Sequence, residues 1–181
     1  MKLYKFLTVG NQNLIANKLY DYVLNHTDIL NTKYDWNTLN LKEVLDYVPE
    51  LVIECAKLIN HPIVLVSIIH RSPGEGGKIH IDQGPAKYRL LWPVRNCQGS
   101  YTKFYDLNGN SVRELFNPNG NSFLTIEKTY PMPEIASVEL TQPIVFNSKM
   151  PHGVYTNPLL TEPRLSVTIG FGTYPIEDYL M

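Results

Sequence analysis

The sequence predicts a mostly β protein with N-terminal helices, an antiparallel sandwich or barrel with two or three helices packed on one sheet. Up to about residue 60 the apolar residues recur at helical spacing. From Ile63 onward they fall in short β-prone runs separated by clusters of Gly, Pro, Asn and Asp. No repeat, linker or low-complexity tract divides the 181 residues. That length fits a single domain, 1–181, with supporting helices in 1–60 and the β core in 63–172.

Each element has its own justification. Ile15, Leu19, Tyr22 and Val23 share one face of a helix, as do Leu41, Val44, Leu45 and Val48. Asn40 followed by Glu43 has the spacing of a capping box, with asparagine in the usual Ser/Thr place. Pro49 suits the first turn of a new or kinked helix running to about Asn60. The β-prone runs are 63–70, 78–82, 87–94, 101–105, 122–128, 135–140, 143–147 and 164–171, so about eight strands are expected. The segments between them, such as SPGEGG, DQGP, NCQGS, DLNGN and NPNGN, are rich in turn formers.

Composition narrows the function classes. Sixteen Lys plus Arg against seventeen Asp plus Glu leave a formal charge of −1, without the basic excess that neutralises phosphates, which disfavours nucleic acid as a partner. Cys55 and Cys97 form no CxxC pair, so neither a disulfide framework nor a cysteine zinc site is expected. The opening MKLYKFLTVGNQN has too short an apolar run for a signal peptide, and no later run approaches the ~18 apolar residues of a membrane span. A soluble cytoplasmic protein with no membrane partner is the expectation.

Alternate side chains of a strand face opposite sides, so parity shows which residues share a cavity. In KIHID, His80 and Asp82 oppose Ile79 and Ile81; in RLSVTIGF, Arg164, Ser166 and Thr168 oppose Leu165, Val167 and Ile169. A surface face would favour Lys and Glu, so His, Asp, Arg, Ser and Thr in these positions point to a polar interior around a ligand. His80 and Asp82 offer an imidazole and a carboxylate, and His152 supplies a second imidazole. Two histidines and one carboxylate on one octahedral face leave three positions open, the arrangement of non-haem Fe(II) oxygenases. Arg164, with Ser166 two residues further on the same face, is suited to holding a carboxylate bidentately.

At these residues the sequence resembles the Fe(II)/2-oxoglutarate-dependent oxygenase superfamily. Its pattern of H-x-D, a distant His, and an Arg within R-x-S is filled by His80, Asp82, His152, Arg164 and Ser166. A narrower likeness is to the aspartyl/asparaginyl hydroxylase branch, where an arginine about nine residues after the first metal histidine contacts the co-substrate. Arg89 sits at that offset, whereas Leu91 stands where that branch usually has a second histidine. The segments 88–105 and 151–171 are also similar to small 2-oxoglutarate oxygenases of tailed phages.

The resemblance implies a double-stranded β-helix, a jelly-roll or cupin-like core, over residues 63–172. It implies Fe(II) held by His80, Asp82 and His152 as the catalytic metal centre, with 2-oxoglutarate as co-substrate and O2 as oxidant. Arg164 and Ser166 would hold the distal carboxylate of 2-oxoglutarate, with Arg89 assisting at the other end. The implied activity is oxidation of a small-molecule or peptide prime substrate with release of succinate and CO2.

Two other readings fit part of the pattern: a cupin-type metalloenzyme using His80, His152 and perhaps His70 without 2-oxoglutarate, and a non-catalytic β-sandwich binding module. Arg89 could equally form a salt bridge with Asp82. Tyr88, Tyr101 and Tyr105 are expected to flank the cavity, with packing between paired strands as the alternative to a substrate contact, and His26 and His61 read as structural. Cys97 reads as structural or exposed. The GEGGK run, 74–78, lacks the Gly, the Ser/Thr and the following helix of a phosphate loop, and reads instead as a flexible loop, a candidate lid.

Overall fold

The structure is a computed structural model that describes residues 3–26, 36–59, 61–83, 87–116 and 122–172. In chain order the elements are β1 (Tyr4–Phe6), α1 (Gln12–Asn25), β2 (Trp36–Thr38), α2 (Leu41–Tyr47), α3 (Pro49–Leu58), β3 (Ile63–Arg71), β4 (His80–Asp82), β5 (Tyr88–Arg95), β6 (Tyr101–Tyr105), β7 (Ser111–Phe116), β8 (Ser122–Glu127), β9 (Glu134–Glu139), β10 (Ile144–Asn147), β11 (His152–Tyr155) and β12 (Arg164–Phe171). The helix expected to run to Asn60 ends at Leu58. Asn60 itself and the turn segments 84–86 and 117–121 lie outside the described residues.

The helices form for the reasons the sequence gives. Ile15, Leu19, Tyr22 and Val23 are the buried stripe of α1. Asn40 caps α2 by accepting a hydrogen bond from the Glu43 N–H, while its amide donates to the Glu43 carboxylate at 2.7 Å. Pro49 opens α3 as a new helix, where its missing N–H costs nothing.

Twelve strands, rather than eight, build two antiparallel six-stranded sheets among the described residues. The first has the order β1-β10-β5-β12-β3-β2 and the second β7-β8-β4-β11-β6-β9. The first third of the chain therefore contributes two short edge strands, β1 and β2, as well as helices. Val66, Ile68, Leu90, Trp92, Val167 and Ile169 line one face of the first sheet and pack with Ile15, Leu19, Val44 and Leu51 of the helices. The opposite face looks into the second sheet, where Leu91, Ile144 and Phe146 meet Phe104 and Val138. The sandwich thus has a helix-covered outer side and an inter-sheet space into which strand parity directs the polar residues.

Candidate metal centre

His80 and His152 stand directly opposite each other on neighbouring strands, β4 and β11. Cross-strand partners project to the same face, and Asp82, two residues along β4, joins them. The result is a cluster in which one ligand atom from each of His80, Asp82 and His152 lies within 4.8 Å of the others. Nε2 of His80 is 3.5 Å and Nε2 of His152 is 4.0 Å from Asp82 Oδ1. The two rings are 4.4 Å apart between centroids.

Main-chain carbonyls set both imidazoles. His80 Nδ1 is 2.8 Å from the Lys78 carbonyl and His152 Nδ1 is 2.9 Å from the Met150 carbonyl. A carbonyl only accepts, so each Nδ1 carries the proton and each Nε2 faces the cluster, as orientation of metal-ligating histidines requires. Phe146 packs edge-on to His152 at 5.1 Å and Phe123 edge-on to His80 at 6.1 Å, fixing the rings from the sides.

Electrostatics prepare the donors unequally. Burial pushes the Asp82 carboxyl up, but the hydrogen bond with His80 and the charges of His152, His80 and Arg89 outweigh it and hold it well below the usual carboxylate range. Burial, then the charge of His80, pushes His152 down to about 4, so it is neutral at pH 7. Burial also pushes His80 down, but Asp82 outweighs it and leaves His80 above its ordinary value. An ionised carboxylate and a neutral imidazole are the forms that bind a divalent cation; His80 would release its proton on binding one.

The facing strand β12 supplies a different group. Arg164 and Ser166 are fully buried and Thr168 nearly so, yet the three guanidinium nitrogens of Arg164 and the hydroxyls of Ser166 and Thr168 have no hydrogen-bond partner among the described residues. Burial pushes Arg164 down from its ordinary value, against the opposing influence of the neighbouring Cys97 thiol. A desolvated guanidinium with an adjacent hydroxyl is a built receptor for a carboxylate.

Arg89, expected at the far end of that ligand, lies beside the His-Asp-His cluster. Its Nε is 2.8 Å from Asp82 Oδ2. The N–H is not aligned on that oxygen, so the pair is held by charge rather than by a directed hydrogen bond, and Nη1 is left without a partner. Gly170 lies beside this group: a Cβ there would come within 3.4 Å of Nη1, an ordinary contact, and within a tighter 3.1 Å of Leu65 Cβ.

Two residues escaped sequence reasoning. Thr102, opposite Val154 on β6, has a buried hydroxyl without a partner, and its shared parity with Phe104 was the available signal. Lys149, in the turn before β11, donates to the Asp82 main-chain carbonyl at 2.9 Å, which no periodicity could reveal.

Several expectations need correction. Tyr88 packs among the helices, while Tyr105 joins Ile79 and Ile126 on the outer face of the second sheet. Tyr101 is partner to Tyr155 and is exposed, so none of the three lines the cavity. His70 pairs with Leu165, whose side is the helix-packed one, which removes His70 from a cupin-type ligand set. Of the two readings of Cys97 the structural one holds: it is buried, its thiol donating to the Leu165 carbonyl at 3.1 Å. The 72–77 loop is pinned rather than free. Thr156 Oγ1 donates its proton to the Ser72 carbonyl at 2.6 Å, the Thr156 N–H donates to the Glu75 carbonyl at 3.1 Å, and Gly77 N–H donates to the Val154 carbonyl at 2.6 Å. A Cβ on Gly77 would lie 3.3 Å from both Val154 N and O, so a side chain there would push the two backbones apart by a few tenths of an ångström.

Among the described residues no helix is long and apolar enough to cross a membrane. No family model matches the sequence, and no curated protein matches it. Solved structures do match in fold. A prolyl-4-hydroxylase from Pseudomonas putida superposes with a TM-score of 0.53 at 12% identity, over 93% of this chain and 91% of that one. AviO1 from Streptomyces viridochromogenes Tue57 gives 0.52 at 11% identity, over 96% and 90%. The apo non-heme monooxygenase ThoJ gives 0.54 at 14% identity, over 94% and 72%. With its two facing antiparallel sheets and helical cover, the chain has a jelly-roll, or double-stranded β-helix, fold like that of the hydroxylase and monooxygenase structures it superposes on.

Proposed function

We propose that the chain is an Fe(II)- and 2-oxoglutarate-dependent dioxygenase that oxidises a small-molecule or peptide substrate, releasing succinate and CO2. One observation carries this reading: a His-Asp-His cluster with ligand atoms within 4.8 Å of one another shares an inter-sheet space with a buried, unpartnered guanidinium. A metal site alone would fit many chemistries, and an unpaired buried arginine alone would be a defect. Together they match the two ends of a short diacid that chelates a metal.

In this reading His80, Asp82 and His152 hold the ferrous ion and Arg164 with Ser166 hold the distal carboxylate of 2-oxoglutarate. Thr102 and Thr168 offer further hydroxyls to the same ligand. Arg89 holds Asp82 by charge, and its unpartnered Nη1 would be available to the metal-proximal carboxylate. The bound iron and co-substrate supply the oxidative chemistry; the protein's part is orientation, charge and exclusion of water. We assign it to the cytoplasm, where thiols such as Cys55 and Cys97 stay reduced.

The test is anaerobic titration of purified protein with Fe(II) and 2-oxoglutarate, followed by succinate analysis in air. A weak visible charge-transfer band and succinate formation, both lost in His152→Ala, are expected. Metal binding without the band would favour a cupin-type enzyme, and no metal binding at all a binding module.

A further inference from the structure

Asp82 is the last residue of a three-residue strand, and continuation of the β4–β11 ladder would pair it with Met150. That pairing cannot form. The Met150 N–H donates to the Asn147 carbonyl, the Met150 carbonyl accepts from His152 Nδ1, and Pro151 has no N–H to offer. The backbone of Asp82 is satisfied from the turn instead. Its N–H donates to the Ser148 carbonyl at 3.0 Å, and its carbonyl accepts from Lys149 Nζ at 2.9 Å. The turn is itself fixed where the Lys149 N–H meets the Asn147 side-chain oxygen at 3.0 Å.

We infer that Lys149 is a positioning residue for the metal centre: its ammonium replaces the missing ladder donor and holds the Asp82 main chain so that the carboxylate stays beside the two imidazoles. The inference rests on the proposed metal site and adds a residue outside the His-Asp-His cluster itself. One three-residue stretch then serves both sides of the centre, since the Met150 carbonyl orients His152 while Ser148 and Lys149 anchor Asp82.

The sign of the effect separates positioning from plain electrostatics. Coulomb's law alone says that removing a cation near a dication tightens metal binding. Loss of an anchor behind a ligand weakens it, by about tenfold or more for groups that orient metal ligands. Mn(II) binding to the whole chain, followed by the loss of the free-ion paramagnetic signal, reads this without turnover. Lys149→Met is expected to bind Mn(II) about tenfold more weakly with its metal-free melting temperature nearly unchanged, and Lys149→Arg, which keeps a donor, to recover most of the loss. Should Lys149→Met fail to fold, Lys149→Gln, which is shorter and uncharged, is expected to show the same weakening. Unchanged or tighter binding in the folded variant overturns the inference while leaving the metal site intact. Failure of the unaltered protein to bind Mn(II) overturns both.

Discussion

The two faces of β12 are equally buried and differ in what their atoms meet. Leu165, Val167, Ile169 and Phe171 pack against the helices and neighbouring strands of the first sheet. Arg164, Ser166 and Thr168, on the other face of the same strand, bury polar atoms that meet no partner. A buried polar group left unpaired costs about 1–3 kcal/mol, and a buried charge more. One face therefore stabilises the fold, and the other is the one that the proposed co-substrate would complete. Polarity alone would not distinguish a ligand site from a satisfied core network; the missing partners do.

Breaking the polar face should affect binding and leave the fold intact. In Arg164→Met the affinity for 2-oxoglutarate is expected to fall by about 100-fold or more, since removing one partner of a buried charge pair costs about 2–5 kcal/mol. Unfolding by urea without ligand should show equal or higher stability, because an uncompensated buried charge has been replaced by an apolar chain of similar length. A variant that loses stability and keeps its affinity would reverse the roles assigned to the two faces.

Breaking the apolar face should do the opposite. Ile169→Ala removes a fully buried side chain and is expected to destabilise the protein by about 2–5 kcal/mol, read as a lower urea midpoint. The folded fraction should bind 2-oxoglutarate as before, because Ile169 points away from the inter-sheet space. Lost affinity at full occupancy of the native state would mean that the faces are coupled through the strand.

The same contrast explains what could be read from the sequence. β12 and β4 gave up their faces because alternation is strict in RLSVTIGF and KIHID, and the two strands bring Arg164, Ser166, His80 and Asp82 to the inter-sheet side. The bounds of β6 and β12 likewise match the apolar runs. β1 and β2 are three residues each and owe their form to pairing with β10 and β3, which no local pattern encodes. β7 carries Arg113 and Glu114 among mostly exposed residues, and β11 is a four-residue HGVY held between β4 and β6. For the tyrosines alternation, not nearness in sequence, decides the face: Tyr88 adjoins Arg89 and faces the other way, and Tyr101 and Tyr105 oppose Thr102 and Phe104. The contact of Arg89 with Asp82 depends on β5 and β4 lying in different sheets that face each other. That is a tertiary fact, which is why sequence left two roles open.

Ser166 sharpens the comparison at its weakest point, because a hydroxyl on the polar face contributes far less than the guanidinium beside it. A neutral hydrogen bond contributes about 1 kcal/mol, so Ser166→Ala is expected to raise the KM for 2-oxoglutarate about fivefold. The kcat should stay unchanged, since a contact remote from the reacting atoms binds ground state and transition state alike. Stability should rise slightly or not at all, because the substitution deletes a buried hydroxyl that has no partner among the described residues. A fall in kcat equal to the rise in KM would place Ser166 nearer the reacting atoms than Arg164, and the diacid would then have to run along β12 in the opposite sense.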